Sequence, residues 1–513
     1  MKKQQAIFFL IDTQGANTVG CYRPDLALGT PHLDRLAASG VRFNRASTCS
    51  PVCGPARSAL MTGLYPHSNG VLANDMAPHL DLPTLGERLQ AAGIATGHVG
   101  KWHLDGGDYF GNGRCPPGWN ADYWFDGRNY LDSLPNDAAR ALSRRVLGAA
   151  EIAAEGITSE FTHAHRSADR ALAFIHEHRD RDFFLVVSID EPHHPWICPE
   201  PFASAFEGFE FPVLNADDSL ADKPRSQREW AAYTARAAAP GGGAAWQMRR
   251  RDGRSWIHHP RHFACNSYSD FQVGRVLAAI DAEIPEAMVV YTGDHGDMFG
   301  SHQLHGKGPC VYEEISRVPF IVRWPGETPV DAVSEGPISH IDFVPTILDY
   351  FGVPRPDLLQ GRSLRTQCRE LAYRTNEYVF IEFNRFEIDH DGFGAFAPIR
   401  CVCDGRHKLA ISLLDTDELY DLSQDPLELR NLIADPTGVS VRERLYATVI
   451  DWMNRTRDPM RGPHWSRRNW RDPGITSTWG GPTRPRPSDD DWFPRSRLYD
   501  TGEEVDRHEY DKG

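Results

Sequence analysis

Three strand-length apolar runs constrain this chain most: Ala6–Ile11 (AIFFLI), Phe183–Ser188 (FFLVVS) and Ala287–Tyr291 (AMVVY). None of them alternates apolar with polar residues, so as strands they must be covered on both faces. Helical patterns lie between them, at His32–Ser39, Thr84–Ala92, Ser167–His178 and Phe271–Ile284. Further strand candidates are Val41–Phe43, Ala95–Val99 and Pro319–Val322. Strands alternating with helices predict an α/β fold, with a mostly parallel central sheet between two helical layers. Ligands of such sheets bind beyond the carboxyl ends of the strands. Asp12, Asp190 and Asp294 each stand at or just past such an end.

Charge narrows the partners. Lys and Arg number 55 against 70 Asp and Glu, a net charge of −15. That excludes a general nucleic-acid binder and a basic membrane-surface helix. No stretch reaches the ~18 apolar residues of a membrane span. Met1-Lys2-Lys3 before the first apolar run imitates a signal peptide. Asp12 ends that run early, however, and no small-residue cleavage site follows. The expectation is a cytoplasmic protein whose ten scattered cysteines are mostly free thiols.

Texture divides the chain into a large domain at 1–370 and a smaller α+β region at 371–513. Within the first, 205–262 reads as an insertion or surface loop, with its AAAPGGGAA run and Arg249–Arg251. In the second, Tyr378–Phe383, Ile399–Val402 and Lys408–Ser412 read as antiparallel strands, and Val441–Thr456 as an amphipathic helix. The tail carries Trp465, Trp470, Trp479 and Trp492 among arginines and prolines, a composition suited to a subunit interface. A homo-oligomer is therefore expected.

The chemistry lies in short motifs. Cys53-Gly-Pro-Ala-Arg57 heads a helix ending in Thr62-Gly63. Thr30-Pro-His-Leu-Asp-Arg-Leu36 precedes it, and Gly97-His-Val-Gly-Lys-Trp-His-Leu104, Glu191-Pro-His-His-Pro195 and Thr292-Gly-Asp-His-Gly296 follow in order. Lys307, Arg317-Val-Pro319 and Glu418-Leu-Tyr-Asp-Leu422 complete the series. Together these resemble the formylglycine-dependent (type I) sulfatases of the alkaline phosphatase superfamily. The resemblance implies an alkaline-phosphatase-like α/β sandwich with a smaller C-terminal α+β domain.

It also implies a mechanism. Cys53 would be oxidised to formylglycine by a formylglycine-generating enzyme. The hydrated aldehyde gives one oxygen to attack sulfur and a second hydroxyl to expel sulfate. By the resemblance, Asp12, Asp294, His295 and the modified Cys53 hold a divalent metal, Ca²⁺ first, with Mn²⁺ or Mg²⁺ as alternatives. Arg57 orients the nucleophile, and Lys101 and His103 flank it, with His103 as the base. His193 and Lys307 sit at the leaving group of a small anionic ester, expected to be a carbohydrate or aryl sulfate. Asn74 is a candidate substrate contact. So are Arg385 and His390 in the polar run 384–391, which also holds Glu387.

One departure bears on function. Most family members carry two consecutive aspartates after the first strand, whereas Asp12 is followed by Thr13 and Gln14. Phosphonate monoester hydrolases, close cousins, also replace the second aspartate with Gln. A phosphonate monoester or phosphodiester hydrolase is thus the alternative reading. An inactive sugar-binding relative is a remote third, since Asp12, Cys53, Arg57 and Asp294 all remain.

Overall fold

The computed structural model describes residues 3–239, 241, 243–387 and 396–462. It adds 465, 468, 470 and the two short strands Ser496–Arg497 and Glu504–Val505. His390, Trp479 and Trp492 lie outside the described residues.

A seven-stranded sheet forms the centre. Its order is Ala332–Ser334, Val41–Phe43, Phe320–Arg323, Met288–Gly293, Gln5–Ile11, Phe183–Ile189, Ala95–Gly100. Phe320–Arg323 runs antiparallel to both its neighbours, and every other pairing is parallel. The first strand is buried along its whole length, as its lack of alternation requires. Ile7, Phe9 and Ile11 face one core, packed with residues of the helices His163–His178 and Pro260–Glu283. Ala6, Phe8 and Leu10 face the other, with residues of Phe343–Phe351. Each large side chain so buried stabilises the fold by roughly 1.5–3 kcal/mol.

Register puts the chemistry on one edge. Ile11 is level with Ile189 and Gly293, and Gly100 with Ser188. The residues that follow are Asp12, Asp190, Asp294 and Lys101, so all four leave the sheet at its carboxyl edge. Gly100 has φ +96°, and a Cβ there would meet the Ser188 carbonyl oxygen at 1.8 Å. Only glycine lets Lys101 leave the strand at this point.

The smaller C-terminal sheet is antiparallel: Val379–Phe383, Ile399–Cys403, His407–Ser412, Glu418–Asp421. Helix Val439–Arg455 packs on it through Leu445, Val449 and Trp452. Trp465 joins that same core, and Trp470 Nε1 donates to Asp417 Oδ2 at 2.9 Å. These two tail tryptophans therefore pack on their own chain.

The stretch expected as an insertion or surface loop carries regular structure. Phe211–Val213, Arg254–His258 and Gln247–Arg251 form a three-stranded sheet, and Arg225–Ala238 is a helix. Trp230 and Ile257 are buried there. The helix expected from Phe271 starts eleven residues earlier, at Pro260. Phe263, Cys265 and Tyr268 bury its first half, and Pro260 at the first position marks its start.

Candidate active site

Cys53 opens a ten-residue helix, Cys53–Thr62, that is buried throughout. Its N-cap, Val52, offers no side-chain acceptor. Asn74 Oδ1 fills that role, accepting from the Gly54 amide at 2.8 Å. Pro55 has no amide hydrogen to satisfy. The positive end of the helix dipole thus points at residue 53, which favours an anion there. Gly63 ends the helix in the left-handed conformation, φ +71°.

Arg57, one helical turn on, is buried between the two metal-candidate carboxylates. Its Nε donates to Asp294 Oδ2 at 3.0 Å and an Nη to Asp12 Oδ2 at 3.1 Å. The other Nη reaches the Lys101 carbonyl (3.0 Å) and Ser188 Oγ (2.8 Å). Lys101 Nζ also engages Asp12 Oδ2, at 2.6 Å, and Asp190 Oδ1, at 3.2 Å. Asp12 Oδ1 is left facing Cys53 Sγ at 3.7 Å, with the Thr13 hydroxyl donating to it at 2.6 Å.

His295 completes the cluster. Its Nδ1 lies 2.8 Å from the Gly296 carbonyl, which only accepts, so that nitrogen carries the proton. Nε2 is then the free lone pair, 3.1 Å from Cys53 Sγ. One donor atom each from Asp12, Cys53, Asp294 and His295 falls within 4.8 Å of the others, and all four residues are buried. Two carboxylates, one imidazole and the side chain of residue 53 make a donor set that fits a divalent cation. Among the described residues this is the one such group.

The electrostatics agree. Burial alone would raise the Asp12 carboxyl, but Lys101, His193, Arg57 and Lys307 hold it well below the usual range. Burial and the neighbouring Asp12 push Asp294 up to about 6. Two carboxylates this close without a cation repel each other. Burial and Asp12 oppose ionisation of the Cys53 thiol, yet Lys307, His295 and Lys101 draw it well below its ordinary value. Lys307 Nζ donates to Sγ at 2.5 Å.

His103 lies beside Cys53 with φ +58°, its Nε2 3.6 Å from Asp75 Oδ1. Burial disfavours its charge, but Asp75 and Cys53 outweigh that and raise its pKa. His193 behaves oppositely: burial first, then Lys101 and His194, hold it well below the usual imidazole range. His194 is exposed, with its Nδ1 2.9 Å from that of His193.

The structure thus gathers Asp12, Cys53, Arg57, Lys101, His103, His193, Asp294, His295 and Lys307 at one place. Asn74 is there too, with its carboxamide oxygen committed to the Gly54 amide. Arg385 is half-buried, and the carbonyl of its neighbour Phe386 accepts from the Asn74 amide at 3.0 Å. Gln14 does not stand in for the missing aspartate. Its amide donates to Asn266 Oδ1 at 2.7 Å and its oxygen accepts from Tyr291, beneath the site. Asp75, Tyr109 and Asp190 also border the site. Asp190 carried a signal in the sequence through its place at a strand end, and Tyr109 as the end of the run 105–109 after the Gly97–Leu104 motif, which reads equally as a polar substrate subsite or a surface loop; Asp75 carried none.

Residues 4–353 match the sulfatase family profile, and residues 300–455 match that of N-sulphoglucosamine sulphohydrolase, C-terminal. The chain belongs to the sulfatase family, and with it to the enzymes of the alkaline phosphatase superfamily. It is 42% identical over 508 residues to YidJ, an uncharacterized sulfatase of Escherichia coli (strain K12), covering 98% of this chain and 97% of that one. It is 25% identical over 530 residues to the N-acetylglucosamine-6-O-sulfatase of Bacteroides thetaiotaomicron, covering 89% and 87%. The phosphonate monoester hydrolase SpPMH of Silicibacter pomeroyi shares the fold, with a TM-score of 0.72 at 22% identity over 89% of this chain and 96% of that one. Among the described residues no helix is long and apolar enough to cross a membrane.

Proposed function

We propose that this chain hydrolyses the sulfate ester of a small carbohydrate or aryl alcohol, using formylglycine made from Cys53. The observation that carries the reading is one cluster that brings together a buried divalent-cation donor set and three cationic side chains, around a residue at a helix N-terminus. In this reading Asp12, Asp294, His295 and an oxygen of the modified residue 53 hold the metal, with Ca²⁺ first among candidates. The thiol in the structure stands where those oxygens would be. A cation there would neutralise charge building on the non-bridging oxygens of the ester.

The chain's own groups supply the rest. Arg57 fixes the carboxylates and the end of the helix that presents residue 53. Lys307 and Lys101 add fixed positive charge in a buried site, where it acts most strongly on a developing anion. His103, paired with Asp75, takes the proton from the second hydroxyl of residue 53 as sulfate departs. His193 serves the leaving oxygen. An anionic ester bound beside it favours the imidazolium, which gives up its Nε2 proton as the sulfur–oxygen bond breaks. The carbohydrate class is supported by the named activity of the Bacteroides relative.

The second reading, a phosphonate monoester or phosphodiester hydrolase, draws on the Thr13-Gln14 pair. The side chain of Gln14 points away from the donor set, and Lys101 and His103 both border residue 53, which favours sulfate. The test compares rates on an aryl sulfate, a phosphodiester and a phosphonate monoester, with protein matured beside a formylglycine-generating enzyme. Sulfate turnover is expected to dominate. Phosphodiester turnover faster by orders of magnitude would establish the second reading instead. Peptide mass spectrometry should find an aldehyde at residue 53; a fully active protein with an intact thiol there would refute the nucleophile assignment.

A further inference from the structure

The loop after the Gly97–Leu104 motif holds Asp105, Asp108 and Tyr109. The two carboxylates serve the loop itself. Asp105 accepts from the amides of Gly107 (3.1 Å) and Asn112 (2.6 Å), and Asp108 from the Phe110 amide (3.0 Å) and Arg128 (3.0 Å). Tyr109 is different. Its ring stacks on that of His193, with centroids 4.7 Å apart and planes at 23°. Lys101 Nζ sits over the same ring at 3.7 Å. Its hydroxyl touches Asp190 Oδ1 and lies 3.0 Å from His193 Nδ1.

Proton counting orders these contacts. A carboxylate only accepts, so the Tyr109 hydroxyl gives its one hydrogen to Asp190. His193 Nδ1 also lies 2.9 Å from the His194 carbonyl, which likewise only accepts. The Nδ1 proton is therefore on His193, directed at the His194 and Tyr109 oxygens. Nε2 is left as the atom that meets substrate. We propose that Tyr109 is a positioning residue for His193. Through its hydroxyl it passes the negative charge of Asp190 to the imidazole, and it holds the ring in the tautomer and orientation that serve the leaving oxygen. Asp190 contacts Lys101 as well, so one carboxylate ties the nucleophile side of the site to the leaving-group side.

The proposal rests on the reading that His193 protonates the leaving oxygen. In that step the electron pair of the sulfur–oxygen bond goes to oxygen. Oxygen takes the Nε2 proton, and the imidazole returns to its neutral Nδ1–H form. The test therefore uses two esters. 4-Nitrophenyl sulfate expels a stable phenolate that needs no proton, whereas an unactivated alkyl or sugar sulfate needs one.

Tyr109→Phe keeps the ring and removes the hydroxyl. It should slow kcat on the unactivated ester by about 10–100-fold, with KM within about threefold, and slow the nitrophenyl ester by less than about threefold. His193→Ala should show the same bias, more steeply. The double variant should be no slower than His193→Ala alone. Equal losses on the two esters for Tyr109→Phe, or losses that multiply in the double variant, would overturn the proposal while leaving His193 in its role. Equal losses for His193→Ala would instead overturn the leaving-group reading, and the proposal with it.

Discussion

Two regions bury an arginine against carboxylate, with opposite results. Under the small C-terminal sheet, Arg400 meets Asp458 through two bonds, Nε–Oδ2 at 2.5 Å and Nη–Oδ1 at 3.1 Å, and both side chains are fully buried. A further Nη is taken by Asn384 Oδ1 at 2.8 Å. One cation faces one anion, and Asp458 is held below the ordinary carboxylate range despite burial, chiefly by Arg400. At the carboxyl edge of the large sheet, Arg57 is shared by Asp12 and Asp294, and Asp294 rises to about 6. The residue types are the same. The first arrangement is complete within the chain, whereas the second carries a surplus of donor atoms that a cation would satisfy. Buried charge therefore marks function here only where its partners do not close.

The largest effect should come from the atom at the centre of the unclosed cluster. Cys53→Ala is expected to lower kcat by at least about 10³-fold, because the nucleophile itself is removed. Its thermal unfolding should stay near that of the parent, since residue 53 heads the helix without being its cap. Turnover retained within tenfold would take Cys53 out of the mechanism.

A matched pair tests the comparison directly. Asp458→Asn leaves Arg400 buried without its anion, and should destabilise the fold by about 3–5 kcal/mol. The kcat of the folded protein should hardly change. Asp294→Asn removes one of two crowded carboxylates while Arg57 keeps Asp12. In metal-free protein it should cost far less stability, yet abolish turnover. Thermal unfolding in chelator, with rates after adding back Ca²⁺, measures both. Equal destabilisation by the two variants would mean that the active-site pair is as structural as the other.

The same contrast explains what could be read without coordinates. The parallel sheet was legible because Ala6–Ile11 and Phe183–Ser188 are apolar without alternation, and only two-sided burial tolerates that. Cys53 and the eight residues gathered around it were legible because they lie in short motifs, at a strand end (Asp12) or in sequence order with those motifs (Lys307). Asp75 was not, and Tyr109 only as part of the run 105–109, open between a subsite and a surface loop, because their contacts come from loop geometry: both reach histidines that lie far from them in sequence or on a strained backbone. Gln14 was ambiguous in the sequence, since a neutral side chain after Asp12 suits a ligand or a core amide equally well. Its bonds to Asn266 and Tyr291 decide for the core. The first half of helix Pro260–Glu283 was hidden by its polar opening residues, although its buried face is apolar.

A third kind of buried charge sharpens the comparison further, at a smaller scale. Glu191 follows Asp190 and is buried, with no ion pair to a cation among the described residues. One oxygen accepts from the Ala164 amide at 3.3 Å, and the other has no hydrogen-bond partner among the described residues. Burial, then Asp190, push its carboxyl from an ordinary 4.5 to about 8. The unfolded chain loses this proton near pH 4.5 and the native protein keeps it to about pH 8. Between those values the native state binds the extra proton, so stability falls as pH rises, by up to about 1.4 kcal/mol per pH unit. Glu191→Gln keeps the acceptor for Ala164 and cannot ionise. It should be more stable than the parent by about 1–3 kcal/mol at pH 7, with the gap closing as pH falls toward 4.5. Thermal unfolding of both proteins from pH 5 to 8 decides the matter. Parallel curves would show that Glu191 finds a partner in solution, and would place it with Asp458 among the charges that the fold completes.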